Sequence, residues 1–252
     1  MKKLICLLLI CLGFEMMAQE SGSIIYKLTR KMEDAPKDED QKRFASLMAG
    51  ANIAKKQLDF TKKESIFFDV TGERTSESSD IDANGGERKM VIKIAKNEEQ
   101  FYKNFESQTF VNKQDLFGKT FLIKENFTDK KWKITTEKKD INNLSCIKAT
   151  TINSKGENVI AWFAPSIPIF NGPESWDGLP GLIIELDENA GEFLYEVEEI
   201  KATKDIKITP PSEGDKISMK KFLELEEKKL KEMKEMYGGN GRMIMIKTEE
   251  RN

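Results

Sequence analysis

Apolar and polar residues alternate along most of the chain, in short runs separated by turn residues. Leu58 and Phe60 alternate with polar neighbours, and Phe193, Tyr195 and Val197 alternate with glutamates. Such period-two alternation indicates antiparallel strands with one buried face and one wetted face. About ten such strands predict a sheet that curves on itself. Helical segments do not alternate with strands, which excludes a parallel α/β fold.

Two hairpins are predicted in the second half of the chain. Strands over residues 142–152 and 158–163 flank the turn Ser154-Lys155-Gly156. Strands over residues 182–186 and 193–200 flank a second turn that contains glycine. Turn residues between two β-type runs are the usual signature of a hairpin.

Two segments have helical rather than strand periodicity. Residues 38–52 predict a short inserted helix. Residues 218–237 carry Phe222 and Leu225 on an apolar side and lysines and glutamates opposite, and Gly238 follows. This pattern predicts a long C-terminal amphipathic helix over the apolar face of the sheet, with a partner-binding helix as the alternative. The predicted fold class is therefore mainly β (α+β): a curved antiparallel sheet, half-barrel-like, with one inserted and one C-terminal helix.

The N-terminus predicts an exported protein. In residues 1–19, two lysines precede the apolar run 4–12, and Ala18 is a small residue near a cleavage point. A retained anchor helix is the alternative, although the run is shorter than a membrane span. No later run has spanning length, so we expect no transmembrane segment in the mature chain. Residues 20–252 are predicted to form a single domain in the periplasm or at the outer-membrane periphery.

Composition excludes several kinds of chemistry. The 252-residue chain contains no histidine, which rules out Ser-His-Asp and Cys-His catalysis and metal sites built on imidazole. Cys146 is the sole cysteine outside the predicted signal peptide, and we expect it to be a buried free thiol. The net charge of −2 gives no argument for nucleic acid. We therefore predict a non-enzymatic protein without a cofactor.

Two acidic clusters offer alternatives to that prediction. Asp80, Asp82 and Asn84 match the first half of a calcium loop, but Val91 stands where the bidentate glutamate belongs. The same residues also fit an Asx-rich hairpin turn. Near Trp176, Glu174 and Asp177 are the nearest candidates for a hydrolase that uses carboxylates alone. A solvated loop is the simpler interpretation of that pair.

One segment has strong backbone requirements. Proline before glycine at 180–181 predicts a type II turn, and Gly178 permits a close approach just before it. Leu182 then enters a strand. The segment is either a closed corner of the core or the lip of an apolar cavity. In the second case the predicted ligand-binding residues are Trp162, Trp176, Leu179, Pro180 and Leu182.

The same segment carries a family resemblance. Its residues Gly178, Leu179, Pro180, Gly181, Leu182 and Ile183 spell the GLPGLI string, and the chain resembles the GLPGLI family of exported Bacteroidetes-type proteins. Similarity is strongest over residues 132–198, which include Trp132-Lys133-Ile134 and Ala161-Trp162-Phe163. The function of that family is undefined, so the resemblance implies no catalytic residue. The overall plan is similar to half-barrels that carry lipids or lipoproteins, which is an analogy of fold.

Two functions are compatible with these observations. The first is binding or carrying an apolar ligand, such as a lipid, a lipoprotein or a hydrophobic peptide, between the curved sheet and the C-terminal helix. The second is an envelope interaction module that docks on an outer-membrane transport or secretion system. An exposed edge strand or the last helix would form that contact.

Overall fold

The computed structural model describes residues 21–31, 52–81 and 87–237, and these residues form fourteen strands and one helix. Strands make up 56% of the described residues, so the described part of the protein is mainly β. The elements are β1 (Ser21–Arg30), β2 (Ile53–Thr61), β3 (Glu64–Asp69), β4 (Arg74–Ile81), β5 (Glu87–Ile94), β6 (Gln100–Asn104), β7 (Thr109–Leu116), β8 (Lys119–Asn126), β9 (Lys133–Ile141), β10 (Leu144–Ile152), β11 (Asn158–Ala164), β12 (Leu182–Glu188), β13 (Phe193–Ala202), β14 (Asp215–Ile217) and α1 (Met219–Tyr237).

Twelve of these strands form one large curved sheet, in the order β14-β8-β7-β6-β3-β2-β1-β13-β12-β11-β10-β9. The strands β4 and β5 pair only with each other, as a separate hairpin. The first strand lies near the middle of the sheet, because it pairs with β2 on one side and with β13 on the other. All pairings in the large sheet are antiparallel except that of β14 with β8. The predicted hairpins β10–β11 and β12–β13 are confirmed.

Alternation along the central strand defines the two faces of the sheet. Ile24, Tyr26 and Leu28 are fully buried, whereas the residues between them are half-buried. We call the face that carries these three side chains the inner face. Leu58 and Phe67 extend the same buried cluster across β2 and β3. Burial of these apolar side chains is the main force that holds the sheet in shape.

The inner face is covered by the connection between β11 and β12. We call this connection, residues 165–181, the motif corner. Its Ile169, Trp176 and Leu179 are buried in the same cluster as Tyr26 of the central strand. The segment that contains most of the GLPGLI string therefore completes the hydrophobic core from above the sheet.

The predicted α+β half-barrel with a long amphipathic helix over the sheet is wrong. The helix α1 contacts the sheet at β8, near its edge. Among the helix residues whose burial is described, the buried ones are Met219, Phe222 and Glu226, in the first turns. Leu230, on the predicted apolar stripe, is only half-buried. The apolar stripe fails to cover the inner face because the motif corner already occupies that face. The structure has one large curved sheet, with a helix attached near its edge.

Several predictions concern residues outside the described ranges. These are the signal peptide at 1–19, the inserted helix within 38–52, and Asp82 and Asn84 of the calcium motif. A single domain over residues 20–252 likewise stays a prediction. Among the described residues, no helix is both long enough and apolar enough to cross a membrane.

Candidate functional site

The motif corner is a closed loop whose two arms are hydrogen-bonded to each other. The Ile183 amide donates to the Asn171 carbonyl at 3.1 Å, and the Leu182 amide donates to the Ile167 carbonyl at 3.0 Å. An isolated bridge joins Asn171 to Asp177 inside the loop. These bonds fix the corner at the end where it enters β12.

The turn chemistry differs from the type II turn predicted at Pro180-Gly181. A type II turn would need a φ near 80° at Gly181, but the φ of Gly181 is 157°. Gly178 has the left-handed φ instead, at 84°. The Gly181 amide donates to the Leu179 carbonyl at 2.8 Å, which makes a three-residue turn centred on Pro180. Gly181 is required because a Cβ there would lie 2.7 Å from the Ala164 carbonyl carbon. The glycine thus serves a close backbone approach between β11 and the corner.

A fully buried lysine fastens the corner to the sheet. Lys103 of β6 lies on the inner face, and its Nζ donates to Asn171 Oδ1 at 2.7 Å and to the Trp176 carbonyl at 3.2 Å. The same Nζ is 3.4 Å from Asp177 Oδ2. Burial lowers the pKa of Lys103 to about 8, and the Asp177 carboxylate opposes part of that shift. The partly buried Lys130 contributes a smaller lowering.

We expect this lysine to make the protein more stable at mildly alkaline pH. The ordinary pKa of a lysine is 10.5, whereas the pKa of Lys103 is about 8 in the folded chain. Between these values the unfolded chain binds more protons, so the free energy of unfolding rises with pH. Below pH 8 both states are protonated and the burial penalty is present in full. From pH 7 to pH 9 the expected gain is about 1 kcal/mol.

Urea unfolding at constant ionic strength between pH 6.5 and pH 9 measures this gain. A Lys103→Met variant should lose most of it, and Lys130, whose pKa burial also lowers, accounts for a remainder. Burial raises the pKa of Cys146 and of Tyr26, so stability should fall again as pH rises past 9.0, the ordinary pKa of a thiol. A profile without a rise between pH 7 and pH 9 contradicts the expectation.

Two tryptophans stabilise the middle of the motif corner through ring contact and hydrogen bonds. Trp176 is 2% exposed, and its Nε1 donates to Glu188 Oε1 at 2.7 Å. The Trp132 ring lies 5.5 Å from the Trp176 ring, and its Nε1 donates to the Asp177 carbonyl at 2.9 Å. Both indole N–H groups therefore have partners, as buried tryptophans require.

The five predicted ligand-binding residues do not line one surface. Trp176, Leu179 and Leu182 are buried together in the core. Trp162 is half-buried on the other face of β11, where Lys139 Nζ lies 4.5 Å from its ring centre. Pro180 is exposed. Ligand binding by these residues stays a prediction, but in this structure three of them serve the core.

The acidic candidates have separate partners. Glu174 Oε1 accepts a hydrogen bond from the Tyr195 hydroxyl at 3.1 Å, whereas Asp177 pairs with Lys103. Among the described residues, no group of three or more acidic or cysteine side chains could hold a metal ion. Cys146 is a fully buried free thiol, as predicted.

Four exposed residues of the motif corner are apolar. We call these residues, Pro165, Pro168, Phe170 and Pro180, the outer ridge. Phe170 is 60% exposed, although Ile169 and Asn171 on either side are buried. The Gly178 amide faces the Phe170 carbonyl at 3.5 Å, which places Phe170 against the glycine end of the motif. The sequence analysis missed Phe170, which could have been suspected from its position between two buried residues in a proline-rich loop.

Comparison with known proteins gives one family match. A family model described as "Protein of unknown function (Porph_ging)" matches residues 153–185. That range contains all six residues of the GLPGLI string and the whole motif corner. No curated protein matches the chain significantly.

Solved structures resemble the chain in fold. One, described as "Structure of PNGF-II in P21 space group", has a TM-score of 0.53 and 12% identity, over 83% of this chain and 33% of that chain. A second, "Structure of PNGF-II in C2 space group", has a TM-score of 0.52 and 12% identity, over 82% and 33%. The chain thus spans about a third of the length of those structures. At this identity the similarity concerns the fold alone.

Proposed function

We propose that this chain is an exported, non-enzymatic binding protein of the cell envelope that docks a partner protein on the outer ridge. The observation that carries the proposal is Phe170, a large aromatic side chain held 60% exposed on a loop that is fixed from beneath. The N-terminal residues 1–19 support export, because they have the pattern of a signal peptide. We also infer membership of the GLPGLI family, whose string lies inside the matched residues 153–185.

The corner has the rigidity that a docking surface needs. Lys103 holds Asn171 and the Trp176 carbonyl, and Trp132 holds the Asp177 carbonyl. A surface that is already ordered loses little conformational entropy on binding, which favours affinity. Exposed aromatic residues beside prolines also suit an interface, because aromatic anchors supply much of the binding energy in protein complexes.

Carrying an apolar ligand is supported less well. A carrier needs an apolar cavity, and Trp176 and Leu179 fill the space over the inner face in the described residues. A lipid could enter there only if the corner lifted from the sheet. That movement would break the three contacts of Lys103 and leave a buried charge without partners, which is costly.

Catalysis is also supported less well. Burial lowers the pKa of Lys103, which is the kind of shift that a catalytic amine needs. However, its side chain is fully enclosed and already contacts two hydrogen-bond acceptors and one carboxylate. A nucleophile or base must reach its substrate, so this lysine is better suited to holding the corner.

Site-specific photo-crosslinking in the native cells tests the docking proposal. A photoreactive phenylalanine analogue at position 170 should give one discrete crosslinked species with an envelope protein. Phe117 is the matched control, because it is 53% exposed and lies in the separate β7–β8 turn. The same analogue at position 117 should not give that species. Identical patterns at both positions, or no crosslink at 170, would overturn the proposal.

A further inference from the structure

Lys103 of β6 and Asn171 of the motif corner meet in a closed space beneath the corner. Lys103 is fully buried and Asn171 is 2% exposed, and Lys103 Nζ lies 2.7 Å from Asn171 Oδ1. The amide carbon Cγ is bonded to that oxygen, so Nζ lies within about 4 Å of Cγ. An amine nitrogen and an amide carbon are therefore held close to the separation from which a covalent bond forms.

The neighbours of the Asn171 side chain fix which way its amide faces. Its Oδ1 accepts a hydrogen bond from Lys103 Nζ and another from the Gly172 amide at 2.9 Å, and both partners can only donate. Its Nδ2 is buried and has no hydrogen-bond partner among the described residues. A buried amide nitrogen without a partner is uncommon, because it costs free energy. A reaction that released this nitrogen would remove that cost.

Asp177 lies beside both groups. An isolated bridge pairs its backbone with that of Asn171, and its Oδ2 is 3.4 Å from Lys103 Nζ. The Trp132 indole holds the Asp177 carbonyl in place at 2.9 Å. A carboxylate in this position can take a proton from the ammonium group and pass it to a leaving group. The cluster thus contains a nucleophile, an electrophile and a group that transfers protons.

The surroundings favour the reactive form of the lysine. Burial lowers the pKa of Lys103 to about 8, so more of it is neutral near pH 7 than of an ordinary lysine. Only the neutral amine has the electron pair that attacks a carbonyl carbon. The enclosure of Lys103 excludes a substrate from outside, but the Asn171 amide already lies within it. Bulk water is excluded in the same way and does not compete.

We propose that Lys103 and Asn171 join in an intramolecular isopeptide bond, with Asp177 as the group that transfers the protons. Asp177 takes one proton from the Lys103 ammonium, and the electron pair of Nζ then forms a bond to Asn171 Cγ. The Gly172 amide stabilises the negative charge that develops on Oδ1. Asp177 passes the proton to Nδ2, the bond between Cγ and Nδ2 breaks, and ammonia leaves. Nζ keeps one hydrogen in the new amide, and its other surplus proton departs with the ammonia as ammonium.

The linked product suits the site better than the separate groups do. Its one N–H can donate to the Trp176 carbonyl, which is 3.2 Å from Nζ, and its oxygen still accepts from the Gly172 amide. Neither a buried ammonium nor an unpaired NH₂ group remains. Asp177 keeps a positive neighbour in Lys130, whose pKa it raises against the effect of burial. The bond would also tie the motif corner covalently to β6.

Peptide mapping by mass spectrometry of the protein isolated from its native cells tests the proposal. We expect a tryptic digest to contain one branched peptide that joins the segments of Lys103 and Asn171. Its mass should be that of the two segments less one ammonia molecule, and trypsin should not cut after Lys103. Asn171 followed by Gly172 can also lose ammonia by closing a succinimide ring, but the two segments would then stay separate. Separate segments in the folded protein would overturn the proposal.

Variants assign the reaction to these groups. Lys103→Met should abolish the branched peptide, and Asp177→Ala should lower its yield tenfold or more because no group then transfers the protons. Lys130→Met is the matched control, since it removes a neighbouring lysine whose pKa burial also lowers, and it should leave the bond intact. Circular dichroism checks that each variant is folded, and two active variants keep the test decisive if one folds poorly. An undiminished yield in folded Asp177→Ala, or a lost bond in folded Lys130→Met, would contradict the assignment.

The linked and unlinked chains differ in their response to pH. An amide nitrogen does not titrate as an amine does, so the stability effects expected for Lys103 refer to the unlinked chain. Newly folded protein, in which the bond has yet to form, supplies that chain. The isopeptide bond does not depend on docking at Phe170, so each proposal can fail without the other.

Discussion

Gly181→Ala should destabilise the protein by about 3 kcal/mol, one of the two largest effects that we expect from a single substitution. The new Cβ would lie 2.7 Å from the Ala164 carbonyl carbon and 3.0 Å from Pro165 Cα. Both are backbone atoms, so no side-chain rotation relieves the clash. The arms also cannot separate freely, because the Leu182 amide is bonded to the Ile167 carbonyl.

Gly178→Ala is the matched control for this substitution. Gly178 has a φ of 84°, but no atom lies within 4 Å of the position where its Cβ would stand. Only the left-handed backbone penalty of about 1 kcal/mol should apply there. Urea unfolding followed by tryptophan fluorescence measures both variants. Equal losses would show that backbone conformation, rather than the approach to β11, explains the glycines of the motif.

Local pattern explains how much of the fold could be predicted. The hairpins β10–β11 and β12–β13 were predictable because each depends on two neighbouring runs and one turn. The central position of β1 in the sheet was not predictable from the sequence. It depends on pairs such as Tyr26 with Val197, which are remote in sequence, and a period-two pattern does not identify the partner strand.

The helix prediction failed for a related reason. Residues Met219–Tyr237 are helical, but they do not form the predicted helix over the inner face. Periodicity gives the apolar side of a helix but not the surface that receives it. Phe222 packs on Phe121 of β8, near the sheet edge, because the inner face is already covered by Trp176 and Leu179. The motif corner has no periodic apolar pattern, so its sequence did not indicate that it, rather than the helix, would cover the inner face.

The candidate site was predicted in part. Its tryptophan and leucine stand out in the motif, and Trp176 and Leu179 are indeed central to the corner. Lys103 could not be selected, because a lysine among forty-one basic residues carries no sign of burial. Its partner Asp177 was noted only as a candidate acid. Their contact spans 74 residues of sequence, and only the three-dimensional structure joins them.

Replacing this lysine should have the second large effect. We expect Lys103→Met to lower the free energy of unfolding by about 3 kcal/mol at pH 7. Methionine fills a similar volume but donates no hydrogen bond. Asn171 Oδ1 and the Trp176 carbonyl would lose their donor, and Asp177 would lose its counter-ion. The lowered pKa of Lys103 shows that burying its charge is costly, and the substitution removes that cost. The expected loss of unfolding free energy is therefore at the lower end of the range for breaking a buried ion pair.

Two comparisons separate this effect from a general loss of charge. Lys63→Met removes an exposed lysine paired with Glu106 and should change stability by less than about 0.5 kcal/mol. The double variant Lys103→Met with Asp177→Asn should be less destabilised than the sum of its single substitutions, because the second change removes the unpaired carboxylate. If Lys103→Met is as stable as the natural protein, the contacts of Lys103 do not stabilise the motif corner. The rigidity argued for the outer ridge would then have to come from Trp132 and Trp176.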